Sequence, residues 1–272
     1  MALISAHRLT WAASGHIAYA ADVAGTELRL TVLGSASPYP DPHNPCSGYL
    51  LACGDTTIWV DAGTGTLAQL RRHTSLDRLT AIWISHLHAD HCADLLTAFY
   101  GARYADIRLA APIPLYGPLG IAAKLADFLS NTIEDAFDVH ELHDGHQTQF
   151  GPLTATTRAV EHGRPAFAAR FATDAAALVY SGDTAPCPAL TELATDCDLL
   201  VCEADSAVPT EVHHTPEQAG ATATTAHARR LLITHLGPGL DPEDAITRAA
   251  DEFAGRIDYA APGRTFTVES GS

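Results

Sequence analysis

Lysine is almost missing from this 272-residue sequence: Lys124 is the only one, and 16 Lys and Arg residues in all face 32 Asp and Glu residues. The formal net charge is therefore −16 at pH 7. Affinity for nucleic acid comes largely from cationic side chains that displace counterions from phosphates. A long RNA or DNA partner is accordingly disfavoured, and a bound anion must be met by a few arginines, backbone N–H groups or metal ions.

Long apolar runs and paired cysteines are also lacking. No stretch of 18 apolar residues occurs, which is about the length that a membrane-spanning helix needs. The six cysteines form no C-x-x-C pair, and a chain of this size with 47% hydrophobic residues can bury a core without disulfides. We therefore expect a soluble, cytoplasmic protein with reduced thiols and no membrane partner. Residues 1–27 carry no basic signal-peptide region, and we interpret them as an N-terminal extension ahead of one domain over residues 28–270.

Hydrophobic strands alternate with helical segments along the domain. Helices are predicted over residues 66–73, 94–104 and 119–130, and antiparallel strands over residues 148–160 and 167–181. Thr215-Pro216 and Asp241-Pro242 are typical helix starts. Polar residues follow hydrophobic strands at Asp61, His86, Asp183, Glu203 and His235. Open α/β sheets carry their chemistry at such strand ends, so we expect these residues to share one edge.

The strongest functional signal is the six-residue run His86-Leu87-His88-Ala89-Asp90-His91, directly after a predicted strand. Neutral imidazoles and carboxylates are ligands that zinc and similar divalent metals prefer. One such loop cannot close a site, so further ligands are needed from later strand ends. His162, Asp183 and His235 are the candidates, although each alone is a weak signal.

The motif H-x-H-x-D-H, followed in order by a histidine, S-G-D-T and T-H-L, resembles the metallo-β-lactamase-fold metallohydrolases. The resemblance implies a single-domain, four-layer αβ/βα sandwich with two metal ions at one edge. It assigns His86, His88 and His162 to one ion, and Asp90, His91 and His235 to the other, with Asp183 bridging. Asp61 is then expected to orient ligand imidazoles.

Two divalent ions explain this ligand set chemically. Held roughly 3.5 to 4 Å apart, they can share a hydroxide at neutral pH and aim it at an ester phosphorus. We expect Zn²⁺, with Mn²⁺ or Fe as alternatives, and we count Asp90 as a catalytic residue as well as a ligand.

A second motif pair resembles the ribonuclease Z-like branch of this superfamily. Glu203 lies in a C-E-A context, and His213 lies in an H-x-T motif before a predicted helix. The resemblance implies that Glu203 holds His213 as the acid that protonates the leaving oxygen; His214 is the rival for that role. The alternative interpretation is that the two histidines are exposed loop residues near a helix start, without a catalytic role.

Several further stretches resemble actinobacterial cyclic-nucleotide phosphodiesterases of the atypical class II type, which open cyclic AMP to 5′-AMP. They are residues 71–73, 85–92, 115–118, 137–140, 180–184 and 231–236. The implied substrate is a small 3′,5′-cyclic nucleotide, and a homodimer is expected by analogy. The alternatives are a ribonuclease Z-like nuclease that processes tRNA 3′ ends, a metal-dependent lactone or ester hydrolase, and a metal-binding protein without activity. His140, His143 and His146 are interpreted as loop histidines outside the site.

Overall fold

Two seven-stranded sheets form the centre of the molecule. The computed structural model describes residues 27–105 and 108–270, so the predicted N-terminal extension lies, apart from Glu27, outside the described residues. One sheet has the strand order β14-β1-β2-β3-β4-β5-β6, and the other has the order β13-β12-β11-β10-β9-β8-β7. The strands are β1 (Leu28–Gly34), β2 (Gly48–Cys53), β3 (Thr56–Val60), β4 (Ala81–Trp83), β5 (Ile113–Pro118), β6 (Phe137–Leu142), β7 (Gln147–Phe150), β8 (Leu153–Ala159), β9 (Phe167–Ala172), β10 (Ala177–Tyr180), β11 (Leu199–Ala204), β12 (Arg230–Leu236), β13 (Arg256–Tyr259) and β14 (Thr265–Val268).

Helices cover the outer face of each sheet. They are α1 (Thr66–Leu70), α2 (Ala89–Cys92), α3 (Asp94–Tyr104), α4 (Ile121–Leu129), α5 (Pro188–Leu193), α6 (Pro216–Thr225) and α7 (Pro242–Ala250). The first four pack on the first sheet and the last three on the second. The result is a four-layer αβ/βα sandwich in a single domain, as the sequence predicted. None of the helices in the described ranges combines the length and apolarity that crossing a bilayer needs.

Alternation along the strands builds this layering. In β3, Ile58 and Val60 face the core between the two sheets, whereas Trp59 packs beneath the helices of the first sheet. In β4, Trp83 enters the central core and Ile82 faces the helices. Strands buried on both faces in this way read as continuous hydrophobic runs.

Each sheet is antiparallel on one side and parallel on the other. In the first sheet β3, β4, β5 and β6 run parallel, and in the second β10, β11, β12 and β13 do. The carboxyl ends of parallel strands meet at one edge of a sheet. This arrangement positions the residues that follow β3, β4 and β10, and those in the last two positions of β11 and β12, for a common site.

Some predicted elements differ from the observed ones. The predicted helix over 66–73 ends at Leu70, because the backbone N–H groups of Arg72 and His73 bond to carbonyls three residues back instead of four, so the chain continues as turns. His140 lies on β6, so its interpretation as a loop residue was wrong, whereas His143 and His146 do lie in the turn after that strand. The strand was missed because the edge sequence FDVHEL contains few apolar residues.

Candidate metal centre and acid pair

The loop after β4 turns back into a short helix that buries its acidic and imidazole groups. Asp90 and His91 lie in the first turn of α2, and both are buried. The loop that begins at Asp61 holds this helix, since the backbone N–H of Ala62 donates to the His91 carbonyl at 2.7 Å. Gly63 passes so close that a Cβ there would lie 2.0 Å from the Asp90 carbonyl oxygen. Backbone packing thus fixes the positions of Asp90 and His91 in the H-x-H-x-D-H motif.

Three imidazole nitrogens converge on one side of this loop. His86 Nε2 lies 3.0 Å from His88 Nδ1, which lies 3.1 Å from His162 Nε2. Nitrogens that share a tetrahedral metal at about 2.0 to 2.1 Å are about 3.3 Å apart. Asp183 Oδ2 is 3.5 Å from His86 Nε2 and completes this group.

A second group lies beside the first and shares Asp183 with it. His91 Nε2 is 3.2 Å from Asp183 Oδ1, and His235 Nε2 is 3.2 Å from Asp183 Oδ2. Asp90 Oδ2 lies 3.6 Å from His91 Nε2 and 3.9 Å from His235 Nε2. The candidate ligand atoms of each group all lie within 4.8 Å of one another. The structure therefore brings together all seven residues that were predicted as ligands.

Two buried polar atoms in this cluster lack a hydrogen-bond partner, namely His91 Nε2 and Asp183 Oδ1. A buried polar atom without a partner is costly, whereas metal coordination satisfies nitrogen and carboxylate lone pairs alike. Five imidazoles and two carboxylates in two groups, with one carboxylate common to both, fit a dinuclear divalent-metal site.

The outer nitrogen of His91 is held by a buried carboxylate. Asp61 Oδ2 accepts hydrogen bonds from His91 Nδ1, Ser85 Oγ and Tyr180 OH, each at 2.7 Å, and Asp61 Oδ1 accepts from the Ser85 N–H. Asp61 thus occupies the orienting position that the sequence suggested. Tyr180 comes from the second sheet, so this carboxylate is bonded from both sheets.

Other orienting groups were not identified from the sequence. Ser47 Oγ bonds His235 Nδ1 at 2.8 Å, and the Val212 carbonyl lies 3.0 Å from His162 Nδ1. Ser47 sits in a loop rich in Pro, Ser and Asn, where no spacing marks one hydroxyl. Val212 acts through its backbone, which no side-chain pattern can reveal.

Burial and neighbouring charges set the protonation of these rings. Burial lowers the pKa of His86 well below its ordinary value, and the nearby His91 adds to this effect, so His86 is held in the neutral form that binds metals. Burial also acts against a charge on His91, but Asp183 and Asp61 outweigh it and raise the pKa of that ring well above the usual range. Positive charge is therefore favoured beside Asp183.

The predicted acid pair is assembled next to the cluster. Burial alone would lower the pKa of His213, but its 2.8 Å hydrogen bond from Nδ1 to Glu203 Oε1 and the charge of that carboxylate raise it to about 9. Glu203 is fully buried and also accepts from the backbone N–H groups of Thr184 and Asp205. The His213 ring lies 5.0 Å from the ring of His162, at the mouth of the metal cluster.

His214, the rival for the acid role, faces away from the cluster. Its Nδ1 donates to the Thr184 carbonyl at 2.6 Å, and its Nε2 accepts from Thr222 Oγ1 at 3.2 Å. Burial lowers its pKa to about 4, so the ring is neutral. His214 therefore fixes the loop that carries Asp183, which is a role that the sequence did not reveal.

Comparisons with known proteins agree with this geometry. Residues 56–236 match the family described as Beta-lactamase superfamily domain. An uncharacterized protein of Mycobacterium leprae is 36% identical, with 89% of each chain covered. A ribonuclease Z of Mycobacterium bovis is 30% identical, and the match covers 85% of this chain and 95% of the relative.

A solved metallo-beta-lactamase fold protein of Bacillus subtilis superposes with a TM-score of 0.80 at 24% identity, covering 89% of this chain and 99% of that one. This likeness concerns the fold. The family match and the ribonuclease Z relative identify the family from the sequence. The chain belongs to the metallo-β-lactamase superfamily, as a ribonuclease Z-like member with a metal-dependent hydrolase fold.

Proposed function

We propose that this protein hydrolyses 3′,5′-cyclic nucleotides, and cyclic AMP to 5′-AMP in particular, with two divalent metal ions, Zn²⁺ first among them. The observation that carries the proposal is the Glu203–His213 pair at the mouth of the metal cluster. A placed imidazolium is useful when the leaving group is a poor one, such as the 3′ alkoxide of ribose.

The residues divide the reaction between them. His86, His88 and His162 with Asp183, and Asp90, His91 and His235 with the same Asp183, would hold two divalent ions, whose chemistry would be to provide a hydroxide nucleophile near neutral pH and to offset charge on the phosphoryl oxygens. Hydrolysis forms one new P–O bond and breaks the bond from phosphorus to O3′. His213 donates the proton that O3′ needs, and Glu203 holds the ring through Nδ1 so that Nε2 faces the substrate. Asp183 and Asp90 position the ligand groups on either side.

The charge of the chain supports a small substrate. A net charge of −16 repels a polyanion, whereas one phosphodiester can be accommodated by the metal ions alone. We expect no stable nucleic-acid partner.

The second candidate is a nuclease that processes tRNA 3′ ends. The ribonuclease Z relative at 30% identity favours it, and the same acid pair would serve a ribose leaving group there.

The first experiment is chromatographic. The full chain, loaded with Zn²⁺ or Mn²⁺, is incubated with cyclic AMP and, separately, with a precursor tRNA, and 5′-AMP and cleaved RNA are quantified. We expect 5′-AMP from the native protein, none from Asp90→Ala, and no tRNA cleavage. Cleavage of the tRNA without production of 5′-AMP would replace the first candidate by the second.

A further inference from the structure

A cleft of about 670 Å³ lies far from the metal cluster and is lined by four of the 15 arginines of the chain. These are Arg229 and Arg230 at the start of β12, Arg256 at the start of β13, and Arg264 just before β14. We refer to these four residues, together with Phe266, as the arginine cleft. It opens where the edge strands β13 and β14 of the two sheets approach each other.

One carboxylate at the base of the cleft meets three guanidinium groups. Asp258 Oδ2 accepts from Arg230 Nη2 at 2.6 Å and from Arg256 Nε at 2.9 Å, and Asp258 Oδ1 lies 3.5 Å from Arg264 Nη2. Each guanidinium carries five N–H donors, whereas a carboxylate offers about four acceptor positions. The three arginines therefore have more donors than Asp258 can satisfy.

The arginines are held in place, yet they remain accessible. Arg230 and Asp258 form a mostly buried base, whereas the side chains of Arg256 and Arg264 are 66% and 49% exposed. The guanidinium carbons of Arg230 and Arg264 lie 5.0 and 4.8 Å from the centre of the Phe266 ring, which fixes the orientation of both groups. Arranging these donors for a ligand thus costs little further side-chain entropy.

The local charge is opposite to that of the whole molecule. Four arginines line the cleft, against Asp198 and Glu269 in the lining and Asp258 at the base, so the sum is positive in a chain of net charge −16. Asp198 pairs with Arg229 at 3.3 Å, and a single carboxylate, that of Asp258, meets the other three arginines. Preorganised arginines with unused donors suit bidentate recognition of phosphate oxygens.

The cleft is separate from the metal cluster. Arg230 begins β12 and His235 lies five residues further along it, which at about 3.3 Å per residue separates the two by about 17 Å. A small molecule bound in the arginine cleft therefore does not contact the candidate metal-binding side chains.

We propose that the arginine cleft binds a small phosphate-bearing anion of about the size of a nucleoside monophosphate. Its volume lies in the usual range for small-molecule sites. Inorganic phosphate shares the recognised group, so the experiment includes both. The proposal does not depend on the reaction proposed above, because binding is measured without turnover.

The test is calorimetric titration of the metal-loaded full chain with AMP and, separately, with inorganic phosphate at low salt. Arg256→Gln/Arg264→Gln is the test variant, since both side chains are exposed and Arg230 stays in place. Arg103→Gln, which alters an exposed arginine paired with Asp135, is the matched control. We expect the double variant to bind AMP at least tenfold more weakly and the control to bind as the native protein does.

To distinguish binding at the arginine cleft from binding at the metal cluster, the titrations are repeated in a His88→Ala background. Binding that persists in this background and is lost when the two arginine substitutions are added supports the proposal. Tighter binding of AMP than of phosphate identifies a nucleotide, and equal binding identifies the phosphate group as the whole determinant. The proposal is overturned if neither probe binds in the His88→Ala background, or if the two substitutions leave affinity unchanged while circular dichroism shows a folded protein.

Discussion

At the scale of single residues, two adjacent histidines have opposite environments. His213 touches a buried carboxylate and remains partly exposed beside the metal cluster, whereas both ring nitrogens of His214 are bonded inside the protein. The difference arises because the chain enters α6 at Thr215, whose side chain and Gln218 form a capping box that fixes the preceding residues. The proposed acid and a structural histidine are therefore adjacent residues in the sequence.

Replacing His213 by alanine tests the acid role through the leaving group. We expect turnover of cyclic AMP to fall about 10²- to 10⁴-fold, because the 3′ oxygen must leave without a proton. Turnover of a bis-nitrophenyl phosphate should fall far less, since nitrophenolate leaves unaided. The two rates are compared in the same preparation, with His143→Ala, an exposed loop histidine, as the control. Equal losses on both substrates would remove His213 from the acid role.

Glu203→Gln tests the pairing through the pH profile. In the native protein the carboxylate raises the pKa of His213 to about 9, so the ring is protonated throughout the neutral range. Without that charge, only the smaller effects of Asp183 and Asp205 oppose burial, so the pKa of His213 falls. We expect the alkaline limb of the kcat profile for cyclic AMP to move to lower pH in the variant. If the alkaline limb does not move while the metal content is unchanged, Glu203 is not the cause of the raised pKa of His213.

At the scale of elements, the fit between the loop starting at Asp61 and helix α2 positions two ligands. A Cβ at Gly63 would lie 2.0 Å from the Asp90 carbonyl oxygen and 2.7 Å from that of Ser47, and neither backbone can yield cheaply. Gly101 in α3 is a contrasting case, because a Cβ there meets only the flexible end of Leu76 at 3.0 Å.

Gly63→Ala is therefore expected to lower the free energy of unfolding by about 1 to 3 kcal/mol, the usual cost of overpacking. It should also weaken metal binding, because the added methyl group displaces Asp90. Gly101→Ala should be neutral or slightly stabilising, since alanine favours a helix over glycine by roughly 0.5 to 1 kcal/mol. Urea unfolding and metal analysis of the two variants measure both effects. A Gly63→Ala protein with native stability and two bound metals would disprove this account.

How far the sequence predicted these features depends on the range of the interactions. The capped helices and the strand ends followed from local patterns, as at Thr215 and Asp241, whereas the four-layer sandwich was implied by the family resemblance of the motifs. The seven clustered residues were located by motif order. Ser47, the Val212 carbonyl and His214 were missed, because each acts across the tertiary structure through a hydroxyl, a backbone oxygen or a neutral ring that no local spacing marks.

At the scale of the whole molecule, the metal cluster spans the seam between the two halves of the sandwich. His86, His88, Asp90 and His91 follow a strand of the first sheet, whereas His162, Asp183 and His235 belong to the half built on the second sheet. Ions held by both groups stabilise the docked state, because they bind the folded protein and not its separated halves.

Removing the metal should therefore lower the melting temperature. At a free metal concentration of about 1,000 times Kd, one bound ion contributes about 4 kcal/mol, which corresponds to about 10 °C in a domain of this size. Scanning calorimetry with and without a chelator measures the shift, and Asp90→Ala, which already lacks a ligand, should shift less. Identical melting curves for metal-loaded and metal-free native protein would refute the stabilising role.

The order of the ligands along the chain has a consequence for biosynthesis. Four of the seven clustered side chains have been synthesised by residue 91, but the last, His235, is added 144 residues later. The early histidines and Asp90 can therefore meet cellular metal while the other three clustered residues, His162, Asp183 and His235, are still untranslated. A correctly loaded pair needs β12 in its sheet, so the two-ion site can be completed only after residue 236 has been synthesised.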